Sequence, residues 1–322
     1  MEQKGESCWV TYISPMRLVE REGEKITISL YEINNCTYDQ ALLCRIVGSL
    51  HLIYKNTDIK LDVCGDGALA IKCDSAAFTS NDLLLLYNDF LCKLLIGGIY
   101  VEAVNMRDLT TGSLHENNML WPVNFGESLS SNMHARVRMK LANNMESIFL
   151  DGACSNSKSI KELASAFIVG GKTLEPISNL STYYLISGIT EMMHKSWSSS
   201  VSNLWIVIEQ LTDFLWIHFF LTDSAKDPGI PARIKSLQQD NRTFSAAVKQ
   251  EILYQVGIIS KETYSCIYSV RKARNKLVHE GTLITEDDAV RVYNAVNSLL
   301  QISIKSAKFE ELPKLQSHTN QI

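Results

Sequence analysis

One stretch of the chain decides the fold of its second half: Ser269-Val270-Arg271-Lys272-Ala273-Arg274-Asn275-Lys276-Leu277-Val278-His279-Glu280-Gly281. Apolar side chains at Ile267, Val270 and Leu277 recur at spacings of 3 and 7, as on the buried face of an α-helix. Gly281 is suited to end this helix, because glycine readily adopts the left-handed conformation that follows a last helical turn. The pattern therefore predicts a helix over Lys261–Glu280.

The sequence on either side of this stretch predicts further helices. The strongest pattern spans Ser198–Leu221, where buried-type residues recur at spacings of 4, 3 and 4 from Leu204. Thr285 is followed by three acidic residues, which is typical of an N-cap with the negative first turn that a helix dipole favours. The other helices predicted here are Thr182–Lys195, Ala232–Gln239, Phe244–Val256 and 286–306. We therefore expect an all-α unit over residues 182–306 and a tail at 307–322.

The first 150 residues combine strand and helix patterns. Glycines at positions 65 and 67 join two segments of alternating apolar residues, which predicts a β-hairpin over Ile59–Cys73. The other elements predicted here are a helix over much of Asp39–Tyr54, a helix that Ser80 caps and that runs to about Ile96 before Gly97-Gly98 stops it, and a strand over Ile99–Ala103. We therefore expect an α+β fold, with a mixed α and β domain over residues 1–150 and a connecting segment at 151–181 before the helical unit.

The composition is that of a soluble globular protein, with 46% hydrophobic and 20% charged residues in a chain of 322. No uncharged apolar run reaches the ~18 residues of a membrane span, and the start lacks the apolar core of a secretory signal. The eight cysteines include no Cys-x-x-Cys pair, so we expect reduced thiols in a cytoplasmic protein, with no metal site. Basic residues concentrate in Lys226–Lys276, ten against four acidic ones, where a polyanion would bind.

One residue of the helix over Lys261–Glu280 does not fit a simple amphipathic pattern. Arg274 falls on the apolar line, where a guanidinium group is costly unless it has partners. The neighbouring line carries Asn275 and His279 towards the same end of the helix. A solvated basic face beside the helix C-terminus would explain the lysines at 272 and 276, but it does not explain an arginine on the apolar line.

The hexapeptide Arg274-Asn275-Lys276-Leu277-Val278-His279 resembles the Arg-x(4–6)-His motif of HEPN domains, including the polar residue directly after the arginine. The segment Ser200–Leu211 resembles the long first helix of that family. One further helix follows the motif helix, which also fits the family. The resemblance covers about residues 182–306 and leaves the rest of the chain unmatched.

The resemblance implies a metal-independent endoribonuclease without a cofactor, acting as a homodimer in which two motifs form one composite cleft. Arg274 would bind the scissile phosphate, His279 would act as general acid and base, and Asn275 would orient one of them. Glu209 on the first long helix is a further candidate for this site. The candidates for RNA binding are Arg271, Lys272 and Lys276. The resemblance also implies a toxin or antiviral-defence setting, with the N-terminal domain as sensor or brake and a trigger or inhibitor protein as partner.

Other interpretations of the sequence stay open. The helical unit could be a catalytically silent HEPN module for dimerisation or nucleotide binding, with a regulatory role. A metal nuclease could be sought among four residues of the first half, although the segment Ala70-Ile71-Lys72 lacks the carboxylate that would share a metal with its neighbours. These residues are Asp62, Asp66, Lys72 and Glu102. We expect His218 to be a hydrogen-bonded core histidine, and Trp205 and Trp216 to be packing residues.

Overall fold

The computed structural model describes residues 5–14, 18–26, 40–72, 78–122, 157–221, 240, 242–304 and 312. Contacts between residues divide the chain into two compact units, Met1–Ile168 and Val169–Ile322. The division falls inside the segment 151–181, which the sequence predicts to connect the two domains. Helices and an antiparallel sheet both occur, so the fold is α+β.

The first unit contains a six-stranded antiparallel sheet with strand order β3-β4-β5-β1-β6-β7. Its strands are β1 (Glu6–Tyr12), β3 (Ile46–Tyr54), β4 (Thr57–Cys64), β5 (Ala68–Lys72), β6 (Thr110–His115) and β7 (Met119–Pro122). A separate parallel pair joins β2 (Val19–Glu20) to β8 (Lys158–Ser159). The predicted hairpin is confirmed as β4 and β5, and Gly67 takes a positive φ of 78° in its turn.

One face of the large sheet carries a buried apolar cluster. Its members are Cys8, Val10, Cys64, Ala68, Ala70, Leu114 and Leu120. The two outer strands approach each other beside this cluster, because Arg45 forms an isolated β-bridge with Met119. The amide of Ile46 also donates to the carbonyl oxygen of Asn118 at 2.8 Å. The sheet therefore curves around the cluster instead of lying flat.

Helix α2 (Ser80–Ile96) is confirmed and ends at the residue that the sequence predicts. Its N-cap is Thr79, one residue earlier than expected, and Asp82 completes a capping box with it. The helix packs on the sheet through a fully buried face, where the hydroxyl of Tyr87 donates to the carbonyl oxygen of Trp9 at 2.9 Å. Gly97 follows the last turn, as predicted.

Two predictions for the first unit are wrong. Of the helix expected within Asp39–Tyr54, the structure forms a short α1 (Gln40–Cys44) and continues as strand β3. The β-branched residues of that segment pair with β4, which outweighs their apolar spacing along a helix. The strand expected over Ile99–Ala103 is not a strand: the amide of Ile99 donates to the carbonyl oxygen of Leu94 at the end of α2, and the amide of Glu102 donates to that of Ser14.

Residues in the connecting segment form helix α3 (Ile160–Leu174). The pair Gly170-Gly171 predicts a linker rather than a helix at this point of the segment. In the structure Gly170 is buried, on the same helical face as Leu163, Ala166 and Leu174. The buried face that these residues share outweighs the low helix propensity of the two glycines.

The described part of the second unit is helical. Its helices are α4 (Thr182–Met193), α5 (Trp197–Leu215), α6 (Ala246–Gln255), α7 (Lys261–Glu280) and α8 (Glu286–Ser303). Helix α5 contacts the other four, and its predicted stripe of Leu204, Ile208, Leu211 and Leu215 is fully buried. Thr285 caps α8, as expected. The predicted helix over Ala232–Gln239 lies outside the described residues, as does all of the 307–322 tail except Leu312.

The prediction that His218 lies in the core is wrong, since its side chain is exposed. Helix α5 widens into a π-helix at Trp216–Leu221, where each residue rotates less about the axis than in an α-helix, so residues at α-helical spacing no longer share one face. His218 leaves the buried stripe and lies against the ring of Phe214, with 4.5 Å between ring centroids. The segment Trp197–Leu221 is long and apolar enough to cross a membrane, but more than half of it is buried, as in the core helix of a soluble protein.

Candidate functional site

Helix α7 presents the candidate site, and its two ends are fixed by local chemistry. The hydroxyl of Ser260 accepts a hydrogen bond from the Thr263 amide at 3.1 Å and begins the helix. Gly281 ends it with a φ of 68°, and its amide donates to the carbonyl oxygen of Leu277 at 3.1 Å. The predicted bounds, Lys261–Glu280, and the role of Gly281 are both confirmed.

The buried line of α7 ends before its last two turns. Ile267 and Val270 are fully buried between α5 and α8, whereas Arg274 and Leu277 are half-buried. Among the described residues, Arg274 has no hydrogen-bonding or ion-pair partner. Its guanidinium group is thus held at the margin of the core with its donors available to water or to an anion.

Asn275, Lys276 and His279 lie exposed beyond that margin. Because α7 is a regular helix to Glu280, Asn275 lies one turn before His279 on the same face. Arg274 and His279 are five positions apart, which separates them by about 140° around the axis. Within the described ranges, no hydrogen bond joins the three candidate catalytic side chains. One copy of the helix therefore presents its arginine and its histidine in different directions.

A row of stacked tyrosines lies on the face that carries Asn275 and His279. The rings of Tyr254 and Tyr264 stack with 4.9 Å between centroids, and those of Tyr264 and Tyr268 with 6.3 Å. The hydroxyl of Tyr264 donates to the carboxylate of Glu251 on α6. That bond lowers the pKa of Glu251 and raises the pKa of Tyr264.

The three candidate RNA-binding residues occupy different environments. Arg271 is half-buried and donates to the side-chain oxygen of Gln250 at 3.4 Å. The ammonium of Lys272 lies 4.5 Å from the ring centroid of Tyr268, and the guanidinium carbon of Arg271 lies 5.3 Å from it. Lys276 is exposed. The exposed side chains of the two lysines can move to bind a phosphate, whereas Arg271 is partly held by its hydrogen bond to Gln250.

A buried polar layer behind α7 was not predicted from the sequence. Lys249 is 3% exposed and its ammonium binds the carboxylate of Asp213 at 2.7 Å. Gln250 is 1% exposed; it donates to the hydroxyl of Thr212 at 3.3 Å and accepts from Arg271. The sequence indicates this layer only through the polar pair Lys249-Gln250 in a short helix. Because one of two adjacent helical positions should face the core, such a pair predicts a buried polar side chain. The layer ties α5, α6 and α7 together.

Glu209 lies exposed on α5, and its carboxylate accepts a hydrogen bond from the indole of Trp205 at 2.8 Å. Both residues belong to one helix, and no hydrogen bond from Glu209 to α7 occurs in the described chain. Trp205 is buried, and Trp216 is buried against Phe220 and Phe244. The prediction that both tryptophans are packing residues is confirmed.

The residues of the alternative metal site engage separate partners. Asp62 accepts from Ser49 at 2.5 Å and pairs with Lys60 at 2.8 Å. Glu102 accepts from the hydroxyls of Ser14 and Tyr100. Lys72 pairs with Glu6, and Asp66 accepts from the amide of Ala68 at 3.2 Å. The described ranges contain no group of three or more His, Cys, Asp or Glu placed to hold a metal ion.

The comparisons with known proteins provide no relative from which a function of the candidate site could be inferred. No family model, no curated protein and no solved structure matches this chain.

Proposed function

We propose that the protein is a metal-independent endoribonuclease of HEPN type that acts as a homodimer. The observation that carries the proposal is Arg274, a guanidinium held at the margin of the core without a protein partner in the described residues, on the helix that ends with Asn275 and His279. The donors of a guanidinium in this position are available to a ligand, and the oxygens of an RNA phosphate fit their planar geometry.

The chemistry that these groups support is attack of a ribose 2′-hydroxyl on the adjacent phosphate. In each pair, His279 takes the proton from the hydroxyl, the arginine of the other copy stabilises the negative phosphorane oxygens, and the same imidazole, now protonated, returns its proton to the leaving 5′-oxygen. Imidazole can exchange protons near neutral pH, so the reaction needs no further acid or base. The products carry a 2′,3′-cyclic phosphate and a free 5′-hydroxyl. Asn275, one turn before His279, would orient the imidazole or the phosphate.

The wide angle between Arg274 and His279 on one helix favours a site built from two subunits. If α7 meets its own copy across a two-fold axis, the arginine of one copy can face the histidine of the other. The end of α7 also carries the apolar surface such a contact needs: Val278 is 56% exposed and Leu283 is 78% exposed. A dimer through this region would cover both side chains and complete the cleft.

The remaining assignments follow from this function. The helices of residues 182–306 would form the HEPN-like bundle, and the domain over residues 1–150 would sense or restrain. A ribonuclease of this kind would act on cellular or invading RNA in the cytoplasm, in a toxin or antiviral-defence setting. Uncontrolled cleavage would harm the host, so a trigger or inhibitor protein is expected. Glu209 would assist from α5.

The test is cleavage of total RNA in the presence of EDTA, with analysis of the product ends. We expect fragments ending in 2′,3′-cyclic phosphate from the wild type and none from His279→Ala. His194→Ala removes another exposed imidazole of the second unit and serves as the matched control. Metal-dependent cleavage, or equal cleavage by the His279 variant, would contradict the proposal.

A catalytically silent module is the second candidate, and one observation favours it. Arg271, beside the motif, is bound to Gln250 inside the fold, so part of the basic face already has a structural role. A module of this kind would form the same dimer and bind nucleotides or RNA without cutting them. Dimerisation without cleavage, with and without cellular extract as a source of activator, would support it.

A further inference from the structure

Tyr268 presents an aromatic ring to solvent on α7, with 40% of the residue exposed. On a regular helix, Tyr268, Asn275 and His279 fall within about 20° of one line along the axis. The ring therefore lies on the same face as the proposed histidine, about 16 Å away along the helix.

The ring is held in place from behind. Tyr264 stacks on one side of it, Tyr254 stacks on Tyr264, and the Glu251 carboxylate accepts from the Tyr264 hydroxyl. Because these contacts already hold the ring of Tyr268, that ring loses little conformational freedom when a planar ligand stacks on it. Such a platform suits a planar ligand.

Cations surround the open side of the platform. The ammonium of Lys272 covers the ring of Tyr268, Arg271 lies close to the same ring, and Lys276 follows one turn later. Lys272 and Lys276 are exposed, and the described part of α7 between Tyr268 and Glu280 carries no acidic side chain. An aromatic ring among mobile cations combines the two features with which proteins hold single-stranded nucleic acid.

We propose that Tyr268 stacks against a base of a single-stranded stretch of RNA and that Lys272 then leaves the ring to contact a neighbouring phosphate. The exchange is favourable because stacking of a base on an aromatic ring is stronger than an exposed cation–π contact. The proposal rests on the ribonuclease function above and gives its substrate a second point of attachment. With about 3.4 Å per stacked nucleotide, the base lies no more than about five nucleotides from the scissile phosphate.

The experiment measures binding apart from cleavage. Fluorescence anisotropy in EDTA follows a labelled single-stranded oligoribonucleotide titrated with dimeric His279→Ala protein, alone or combined with Tyr268→Ala or Tyr268→Phe. Removal of one stacking contact should weaken binding by about tenfold. The phenylalanine variant should bind like its parent, because it keeps the ring. Tyr183→Ala, on α4, is the matched control for loss of a tyrosine.

An abasic scan of the oligonucleotide then locates the contact. One abasic position, within about five nucleotides of the cleaved bond, should weaken binding to the parent and leave binding to Tyr268→Ala unchanged. Equal affinity of the alanine variant and its parent, or equal abasic losses in both, would overturn the proposal. Since binding is measured in the His279 variant, failure of the wild type to cut RNA would refute the catalytic function without altering this result.

Discussion

A guanidinium group at the margin of a core has to be solvated by water, by the protein or by a ligand. In the described chain Arg274 has no protein partner, whereas Arg271, one turn earlier, binds Gln250 and lies against Tyr268. Two arginines of one helix therefore have different tasks. Arg271 contributes to packing, and the donors of Arg274 are available to water or to an anion.

The first prediction separates these tasks by activity and stability. Arg274→Lys should lower RNA cleavage at least about 100-fold, because an ammonium cannot make the planar two-pronged contact with a phosphate, and His279→Ala should do the same. Neither change should shift the melting temperature by more than about 2 °C, since both side chains are at least partly exposed. Arg291→Lys and His51→Ala are the controls. A large stability loss with normal cleavage would assign both residues to structure.

The second prediction concerns the hydrogen bond between Tyr264 and Glu251. The lowered pKa of Glu251 means that its contribution to stability is present above the ordinary value of 4.5 and is lost as the pH falls through the folded value. The raised pKa of Tyr264 means that its contribution is present below 10.0 and is lost as the pH rises through the folded value. The melting-temperature difference between wild type and Tyr264→Phe should therefore be largest between these limits and shrink on the acid side. A difference that does not vary with pH would show that the bond contributes nothing.

At the scale of elements, α7 is held by polar contacts as well as by its buried line. Asp213 on α5 and Lys249 on α6 form an ion pair in which the lysine is almost fully buried. Gln250 next to Lys249 binds both Thr212 and Arg271. The position of the candidate site thus depends on how α6 is fixed against α5.

The third prediction tests this dependence with a double-mutant cycle. Asp213→Ala should destabilise the protein by about 2 kcal/mol, because the buried ammonium of Lys249 loses its carboxylate, a loss moderated by the partial exposure of Asp213. Adding Lys249→Met to that variant should restore much of the stability, since the buried charge is then gone. Urea denaturation of the four proteins measures both effects. An additive double variant would mean that the pair is not coupled.

The elements that the sequence predicts well are those whose pattern is long and periodic. Helices α2, α5 and α7 are predicted because each carries apolar residues at helical spacing over about three turns or more, and a glycine follows α2 and α7. Strand β3 was not, because a short apolar segment fits a helix as well as a strand until its partner β4 is known. The apolar pattern also does not reveal the π-helix that exposes His218, nor that Gly170 is buried inside α3.

The candidate site was predictable only in part. Helix periodicity put Arg274 on the apolar line, and the structure leaves it half-buried there. The buried pair of Lys249 with Asp213 depends on packing between helices that are far apart in sequence, so local patterns do not contain it. The same is true of the tyrosine row, in which Tyr254 meets Tyr264 across two helices.

At the scale of the whole molecule, the proposed function requires two copies. The fourth prediction is that Val278→Lys with Leu283→Lys converts the protein to a monomer at micromolar concentration and abolishes cleavage, because charge replaces the apolar surface next to the motif. Ile53→Lys introduces the same charge at an exposed apolar residue of the first unit and should leave the dimer intact. Light scattering measures the mass. A dimer that survives the double change would place the interface elsewhere.

A mixing experiment tests the composite cleft directly. Arg274→Lys and His279→Ala subunits, each inactive alone, should regain cleavage when dimers of the two are dissociated and reassociated together. One of the two arginine–histidine pairs in the mixed dimer is then intact. Mixed dimers that form without activity would mean that each subunit needs both residues.

The bridge between Arg45 and Met119 has a consequence for how copies of this protein can associate. Outer strands of an open sheet offer unpaired amide and carbonyl groups to which a strand of another molecule can add, a common route to aggregation. Here the amide of Ile46 and the carbonyl of Asn118, at the approach of the two outermost strands, are used by each other. At that point the sheet has no template for a neighbour's strand. At this point of the sheet, association with another copy is therefore left to side chains, which recognise a partner selectively, whereas unpaired backbone groups would accept any extended chain.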